Sequence, residues 1–102
     1  MAKSRETASD LLMPGGAPIG APGGRKASQQ NVREVLGGEL AAARLFAALS
    51  EIGTPDPPPR YPGHGVNLTD GGWVGFRPVS KSGPPTIDVD IPGLPIKKVK
   101  FP

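Results

Sequence analysis

The chain has 102 residues and a net charge of +3, with 15 glycines, 14 prolines, one histidine and no cysteine. This length sets a ceiling of one small domain, and the lack of cysteine excludes a disulfide framework and any thiolate metal site. Glycine and proline together exceed a quarter of the residues, a level typical of loop-rich structure.

The N-terminal part has a composition that favours a linker. Residues 1–28 contain the apolar cluster Leu11-Leu12-Met13, followed by a run of Pro, Gly and Ala. Such a stretch buries too little apolar surface to offset the entropy of ordering it. We therefore predict a flexible linker over residues 1–28 and a folded domain over residues 29–102. Docking of residues 11–13 as a short helical turn is the alternative.

Residues 29–52 have the pattern of helices. Ser28 is the predicted N-cap of a first helix that runs to about Leu36, where Gly37-Gly38 interrupts it. A second helix begins at Glu39 and ends before Gly53. Its apolar positions recur at spacings of three and four: Leu40, Ala43, Phe46, Ala47, and Leu49 or Ile52.

From residue 66 onward the apolar pattern changes to a period of two. It predicts strands over residues 66–68, 73–77, 86–91 and 96–101, with a hairpin turn at residues 69–72. Val74 and Phe76 fall on one face of the second strand, and Trp73 and Arg77 fall on the other. The predicted fold class is therefore α+β, with the N-terminal helix or helices packed on a small four-stranded antiparallel sheet.

The connector at residues 77–86 is the densest concentration of polar chemistry in the chain. Its ten positions hold two cations, three hydroxyls, one glycine and three prolines. The whole positive excess also lies in this half, because residues 60–102 carry six Lys or Arg against three Asp. A local basic excess favours a polyanionic partner, and plain solubility is the alternative.

Several kinds of chemistry are disfavoured by the residues present. There is no nucleophile elbow, no phosphate-binding loop and no dinucleotide fingerprint. Asp88 and Asp90 share one strand face and could bind Mg²⁺ together with a substrate phosphate, but pairing with Lys98 and Lys100 is the favoured interpretation. No cofactor is predicted.

Metal-free cleavage of RNA remains, because the 2′-hydroxyl is itself the nucleophile. The reaction needs proton transfer, which His64 could supply, and cations for the developing charge. Arg77 and Lys81 could provide those cations, with Ser82 and Thr86 as hydrogen-bond donors. Each residue also has a structural interpretation: His64 as an exposed loop residue, Arg77 paired with Asp88 or Asp90, Lys81 at a solvated loop tip, and Ser80 and Ser82 as turn formers.

The stretch from Gly72 to Asp90 resembles the C-terminal toxin domains of bacterial polymorphic and contact-dependent inhibition systems. The shared pattern is a strand that ends in Arg77, a Ser80-Lys81-Ser82-Gly83 loop, a Thr86-Ile87-Asp88 strand and a basic closing strand at residues 96–101. The pattern is similar to the small metal-independent ribonucleases of the barnase, colicin and RelE-like group. The resemblance covers about residues 60–102.

By this resemblance the chain is a ribonuclease toxin that a secretion system delivers into the cytoplasm of a target bacterium. The implied site comprises Arg77, Ser80, Lys81, Ser82 and Thr86, with His64 as acid or base. The resemblance also implies an RNA substrate (tRNA, rRNA or mRNA) and an acidic immunity protein.

Two other functions stay open. One is a non-catalytic module whose lysines at positions 97, 98 and 100 bind nucleic acid or an acidic protein. The other is a structural adaptor. The sequence predicts no secretory signal peptide and no membrane-spanning segment.

Overall fold

A computed structural model describes residues 7–23, 31–78 and 83–102. The helices are α1 (Ala8–Leu12), a 3₁₀ turn (Pro14–Gly16) and α2 (Gly38–Ser50). The strands in chain order are β1 (Ala21–Pro22), β2 (Val32–Glu34), β3 (Gly53–Pro55), β4 (His64–Leu68), β5 (Trp73–Arg77), β6 (Thr86–Asp90) and β7 (Lys98–Lys100).

The strands form one mixed sheet of seven strands in the order β1-β2-β7-β6-β5-β4-β3. Strands β3 to β7 follow one another as an antiparallel meander, and β2 joins β7 in parallel. The edge strands β1 and β3 contain Pro22 and Pro55, and proline lacks the N–H donor through which an edge strand recruits another chain.

The predicted fold class is wrong. The described residues form a mostly-sheet fold with only one helix of seven or more residues, rather than helices on a four-stranded antiparallel sheet. Residues 32–34, predicted as helix, instead pair with residues 98–100, and the Val35 amide donates to the Lys100 carbonyl at 2.9 Å. Strands of two or three residues are too short to give a period-two signal. Ser28, the predicted N-cap, lies outside the described residues.

The core lies between α2 and one face of the sheet. Phe46 of α2 meets Phe76 of β5, with ring centroids 5.4 Å apart. The buried helix positions are Ala42, Phe46 and Leu49, whereas the predicted stripe also included Leu40, Ala43 and Ala47, which are exposed. The predicted alternation of β5 and β6 is confirmed, because their inward side chains are buried: Val74, Phe76, Ile87 and Val89.

Residues 7–23, which fall within the predicted linker, contribute to the described fold. Leu12 is completely buried in the core, and a capping box between Thr7 and Asp10 begins its helix. The buried Arg33 donates from Nε to the Ile19 carbonyl at 2.9 Å, and from its terminal nitrogen to the Gly20 carbonyl at 3.0 Å. These contacts agree with the alternative of a docked helical turn, while the domain boundary at residue 28 stays a prediction.

The two faces of the sheet differ in what covers them. We call the face that packs on α2 the helix-covered face and the opposite one, which carries Trp73, Arg77 and Asp88, the open face. Over the ranges that the structure describes, no helix combines the length and apolar character needed to cross a membrane.

Candidate functional site

Three polar side chains form a hydrogen-bonded network on the open face. Arg77 donates to both carboxylate oxygens of Asp88, from Nε to Oδ2 at 2.8 Å and from Nη2 to Oδ1 at 3.0 Å. The Tyr61 hydroxyl donates to Oδ2 of the same carboxylate at 2.6 Å. The side chains of Arg77 and Asp88 are 23% and 21% exposed, so the network is accessible from solvent. We call these three residues the open-face triad.

The strand register brings the triad together. Arg77 is the last residue of β5, and Asp88 lies opposite Gly75 on β6, so the two side chains are diagonal neighbours on one face. Tyr61 belongs to neither strand; it lies near the end of the connector between β3 and β4, which contains three consecutive prolines. Arg60 just before it has φ 66°, a left-handed conformation that is uncommon for a residue other than glycine. Such backbone strain concentrates at functional sites.

Two paired glycines make room for aromatic rings beside the triad. Gly65 of β4 and Gly75 of β5 are direct partners on the open face. A Cβ on Gly75 would clash with both Trp73 and Tyr61, and a Cβ on Gly65 would lie 2.9 Å from Trp73. The Trp73 and Tyr61 rings meet edge to face at 5.2 Å, and Trp73 Nε1 donates to the Asp56 carbonyl at 3.0 Å. The aromatic pair is therefore seated in a recess that only glycine permits.

The network fixes the protonation of its tyrosine. Burial raises the pKa of Tyr61 well above its ordinary value, and the hydrogen bond to Asp88 and the negative charge of that carboxylate raise the pKa further. Tyr61 therefore remains a hydrogen-bond donor at neutral pH. Oδ2 of Asp88 accepts two hydrogen bonds and Oδ1 accepts one, which leaves Oδ1 with a spare acceptor position.

The hydroxyl of Thr86 is used within the protein. Thr86 lies opposite Arg77 in the register, as expected for two strand ends that frame a loop. The residue is only 2% exposed, and its hydroxyl donates to the Pro84 carbonyl at 3.0 Å. The hydroxyl that was predicted to donate to substrate is therefore already donating within the protein. Ser80, Lys81 and Ser82 lie outside the described residues, so their assignment stays a prediction.

His64 lies on the other side of the sheet. It is the direct partner of Phe76, so its side chain is on the helix-covered face, whereas Arg77 is on the open face. Both residues are at the same end of the sheet. His64 is exposed and lines an apolar depression of about 220 Å³ with Phe46, Pro55 and other residues. The structure thus does not bring His64 into the triad.

The predicted lysines are divided between the face and its margin. Lys98 lies opposite Asp88, Lys100 lies opposite Thr86, and both are on the open face. Lys97 is exposed and precedes β7. The charged residues placed on this face by the register of β2, β5, β6 and β7 are three cations and three carboxylates: Arg77, Lys98, Lys100, Glu34, Asp88 and Asp90. The described part of the face is consequently mixed in charge rather than basic.

The Arg77–Asp88 part of this site was predicted from the sequence. The pairing of Arg77 with Asp88 is confirmed as one of the alternatives considered, whereas the favoured pairing of Asp88 with Lys98 is replaced by bonds to Arg77 and Tyr61. The hydrogen bond from Tyr61 to Asp88 was missed because Tyr61 is distant in sequence from Asp88 and follows an irregular connector. The available signal was the proline run at residues 57–59, which is followed by Arg60 and then by the aromatic residue. Among the described residues no group of three His, Asp or Glu is arranged to bind a metal ion.

Comparisons with known proteins add no family assignment. No protein-family model matches the chain, and neither a search of curated proteins nor one of solved structures gave a match. The resemblance to toxin domains therefore stays a prediction, and the function is argued from the site.

Proposed function

We propose that this protein is a metal-independent endoribonuclease of the bacterial toxin class, with the open-face triad at its centre. The observation that carries the proposal is the convergence of a guanidinium, a carboxylate and a protonated phenol on an accessible sheet face. In the sequence, Lys81 follows the last residue of β5 by four positions.

The guanidinium of Arg77 can bind a phosphodiester while it stays paired with Asp88. A guanidinium has five N–H groups, and Asp88 uses one on Nε and one on Nη2, which leaves three. The two hydrogen bonds to Asp88 hold the guanidinium plane in place, so its remaining N–H groups have fixed directions before substrate binds. Such preorganised charge stabilises a developing phosphorane at little reorganisation cost.

The proposed reaction uses the hydroxyl group of the RNA itself. The 2′-oxygen forms a bond to phosphorus as the bond from phosphorus to the 5′-oxygen breaks, which gives a cyclic phosphate and a free 5′-hydroxyl. Asp88 accepts the proton of the 2′-hydroxyl at Oδ1, and water supplies the proton to the departing 5′-oxygen. Asp88 then returns its proton to solvent. Tyr61 orients the carboxylate by its hydrogen bond to Oδ2.

The biological setting follows from the same proposal. A ribonuclease of this kind is delivered into a target cell, and its producer needs an immunity protein that covers the active face. Because the described open face is mixed in charge, the proposed immunity protein matches it with alternating charges rather than with a uniformly acidic surface. Which RNA is cut depends on contacts outside the triad.

The test is incubation of the purified protein with total RNA in EDTA, with cyclic-phosphate ends as the expected product. Asp88→Asn and Arg77→Ala should each lower the rate at least about tenfold. Asp70→Asn and Arg44→Ala are matched controls, since they remove a like charge from the exposed turn at residues 69–72 and from the exposed side of α2. His64→Ala should retain the rate, and a loss there would move the chemistry to the other face. Intact RNA, or cleavage that requires Mg²⁺, contradicts the proposal.

The second candidate is binding without catalysis, and it is favoured by the ion pair between Arg77 and Asp88. The nearest partner of Arg77 is a carboxylate of the same chain, which neutralises part of its charge. In that case Lys98 and Lys100 carry the interaction with a polyanion, and binding weakens with salt while no product forms. The RNA assay separates the two functions directly.

A further inference from the structure

The recess above Gly65 and Gly75 holds Trp73 as well as Tyr61, and the proposed cleavage reaction does not require Trp73. Phosphodiester cleavage needs the triad, yet the chain also keeps Trp73 half-buried next to it, above the glycine pair. Three contacts fix the ring: the hydrogen bond from Nε1 to the Asp56 carbonyl, the perpendicular ring of Tyr61, and the backbone at Gly65 and Gly75. Trp73 is nevertheless only partly buried, so part of the residue remains accessible to solvent.

We propose that Trp73 is a stacking subsite for an unpaired nucleobase of single-stranded RNA. This inference rests on the proposed ribonuclease function and names its substrate class. Stacking on an aromatic side chain contributes about 1–3 kcal/mol per base and tolerates any base. Because Trp73 is already immobilised, binding a base costs little additional side-chain entropy.

The geometry favours a single strand over a duplex. Trp73 and Arg77 share the open face of β5, and the Trp73 ring lies over Gly75, two residues from Arg77. A base stacked on Trp73 therefore lies beside a phosphate bound at Arg77, as base and backbone of one extended single strand can do. In an RNA duplex the base faces are stacked inside the helix and cannot reach a side chain on a sheet.

Register also places polar residues on the strands to either side of Trp73. Asn67 of β4 and Asp90 of β6 are its direct partners, and both are exposed. The Trp73 ring leans from that position over Gly65 and Gly75, so the amide and the carboxylate are available to a base that extends beyond the ring. Stacking thus supplies the affinity at this subsite, and these two residues set any base preference.

Trp73 is the only tryptophan of the chain, so its fluorescence reports on this subsite alone. The probe is a short 2′-deoxy oligonucleotide, which has no nucleophile and is not cleaved, compared with an abasic oligonucleotide of equal length and charge. We expect the base-bearing probe to quench Trp73 and to bind about tenfold more tightly than the abasic one. Equal affinity for the two probes overturns the inference, even where the RNA assay shows cleavage.

Two variants separate stacking from folding. Trp73→Phe keeps an aromatic face and should retain most of the preference for the base-bearing probe, measured by calorimetry. Trp73→Leu should lose that preference while its circular dichroism stays that of the parent. A preference that survives Trp73→Leu overturns the inference. Base-dependent binding with no cleavage of RNA supports the subsite and contradicts the ribonuclease function, so the two proposals fail separately.

Discussion

The two faces of the same strands divide the tasks of the molecule. On β5 and β6 the inward side chains are aliphatic or aromatic and almost fully buried against α2. The alternate side chains include Arg77, Asp88 and Trp73, which Tyr61 of the preceding connector joins through a hydrogen bond to Asp88 and an edge-to-face contact with Trp73. Because successive residues of a strand point to opposite faces, the apolar core and the polar network are formed by alternate residues of the same strands.

The two faces also differ in how they tolerate glycine. Gly65 and Gly75 would weaken a sheet whose faces were both packed with side chains, because glycine adds no buried surface and costs backbone entropy. Here they leave space for the rings of Tyr61 and Trp73 on the open face. The helix-covered face compensates with large apolar residues at the adjacent positions, Val74 and Phe76.

The largest effect is expected for a core residue in the N-terminal segment. Leu12→Ala removes a fully buried side chain and should lower the free energy of unfolding by about 3 kcal/mol, measured by chemical denaturation. Leu40→Ala is the control, since Leu40 is 63% exposed and should change stability by less than about 0.5 kcal/mol. A small effect at Leu12 would mean that the segment does not contribute to the cooperative core.

A methyl group at Gly75 tests the recess on the open face. Gly75→Ala should destabilise the fold by about 2 kcal/mol, because the new Cβ overlaps both Trp73 and Tyr61. It should also shift the fluorescence of the only tryptophan. In a Tyr61→Ala background the same substitution should cost less, since one of the two clashes is gone. Strict additivity of the two changes would show that the rings do not share the space above Gly75.

A smaller change should follow from neutralising the carboxylate of the triad. Asp88→Asn keeps the shape but leaves one acceptor oxygen for three donor contacts, and should cost about 1–2 kcal/mol. Asp90→Asn removes a charge from the same face of the same strand, at an exposed position, and should fall within about 0.5 kcal/mol of the parent. Equal losses in the two variants would indicate a general charge effect instead of a specific network.

The sequence predicted the strands that alternate and missed the elements that do not. Strand β5 has the predicted bounds, and β6 begins at the predicted residue, because five alternating residues give a clear pattern. Composition did not reveal Leu12 as a core residue, since its burial depends on α2 and the sheet being present. The three-residue strand β2 is likewise defined by its partner β7, and no local preference specifies it.

The site was predictable only in part for the same reason. Arg77 was found because it ends a recognisable strand within a chemically dense stretch. Asp88 was assigned to the correct face, but its partner was not determined, because the choice between Arg77 and Lys98 depends on diagonal geometry. His64 was grouped with Arg77 by proximity in sequence, whereas the register of β4 against β5 places the two side chains on opposite faces.

The last difference between the faces concerns alkaline pH. Only the open face carries a group, Tyr61, whose raised pKa should make properties of the protein change there. Tyr61 is the only tyrosine, so the ultraviolet absorbance of tyrosinate follows this residue alone. Burial and the Asp88 carboxylate raise its pKa in the folded protein, so we expect its ionisation to occur well above the ordinary midpoint near pH 10. Asp88→Asn should return the midpoint toward the ordinary value.

The raised pKa of Tyr61 also makes the free energy of unfolding depend on pH. Below about pH 10 both the folded and the unfolded states keep the phenol protonated, so the contribution of Tyr61 is fully present. Above that pH the unfolded chain loses the proton while the folded protein retains it because its pKa is raised, so stability falls as pH rises. Tyr61→Phe removes this term, and its stability should decline less steeply than that of the parent over the same range. Parallel declines would show that the phenol of Tyr61 is not held by Asp88, and the open face would then lack the fixed donor on which the proposed orientation of the carboxylate depends.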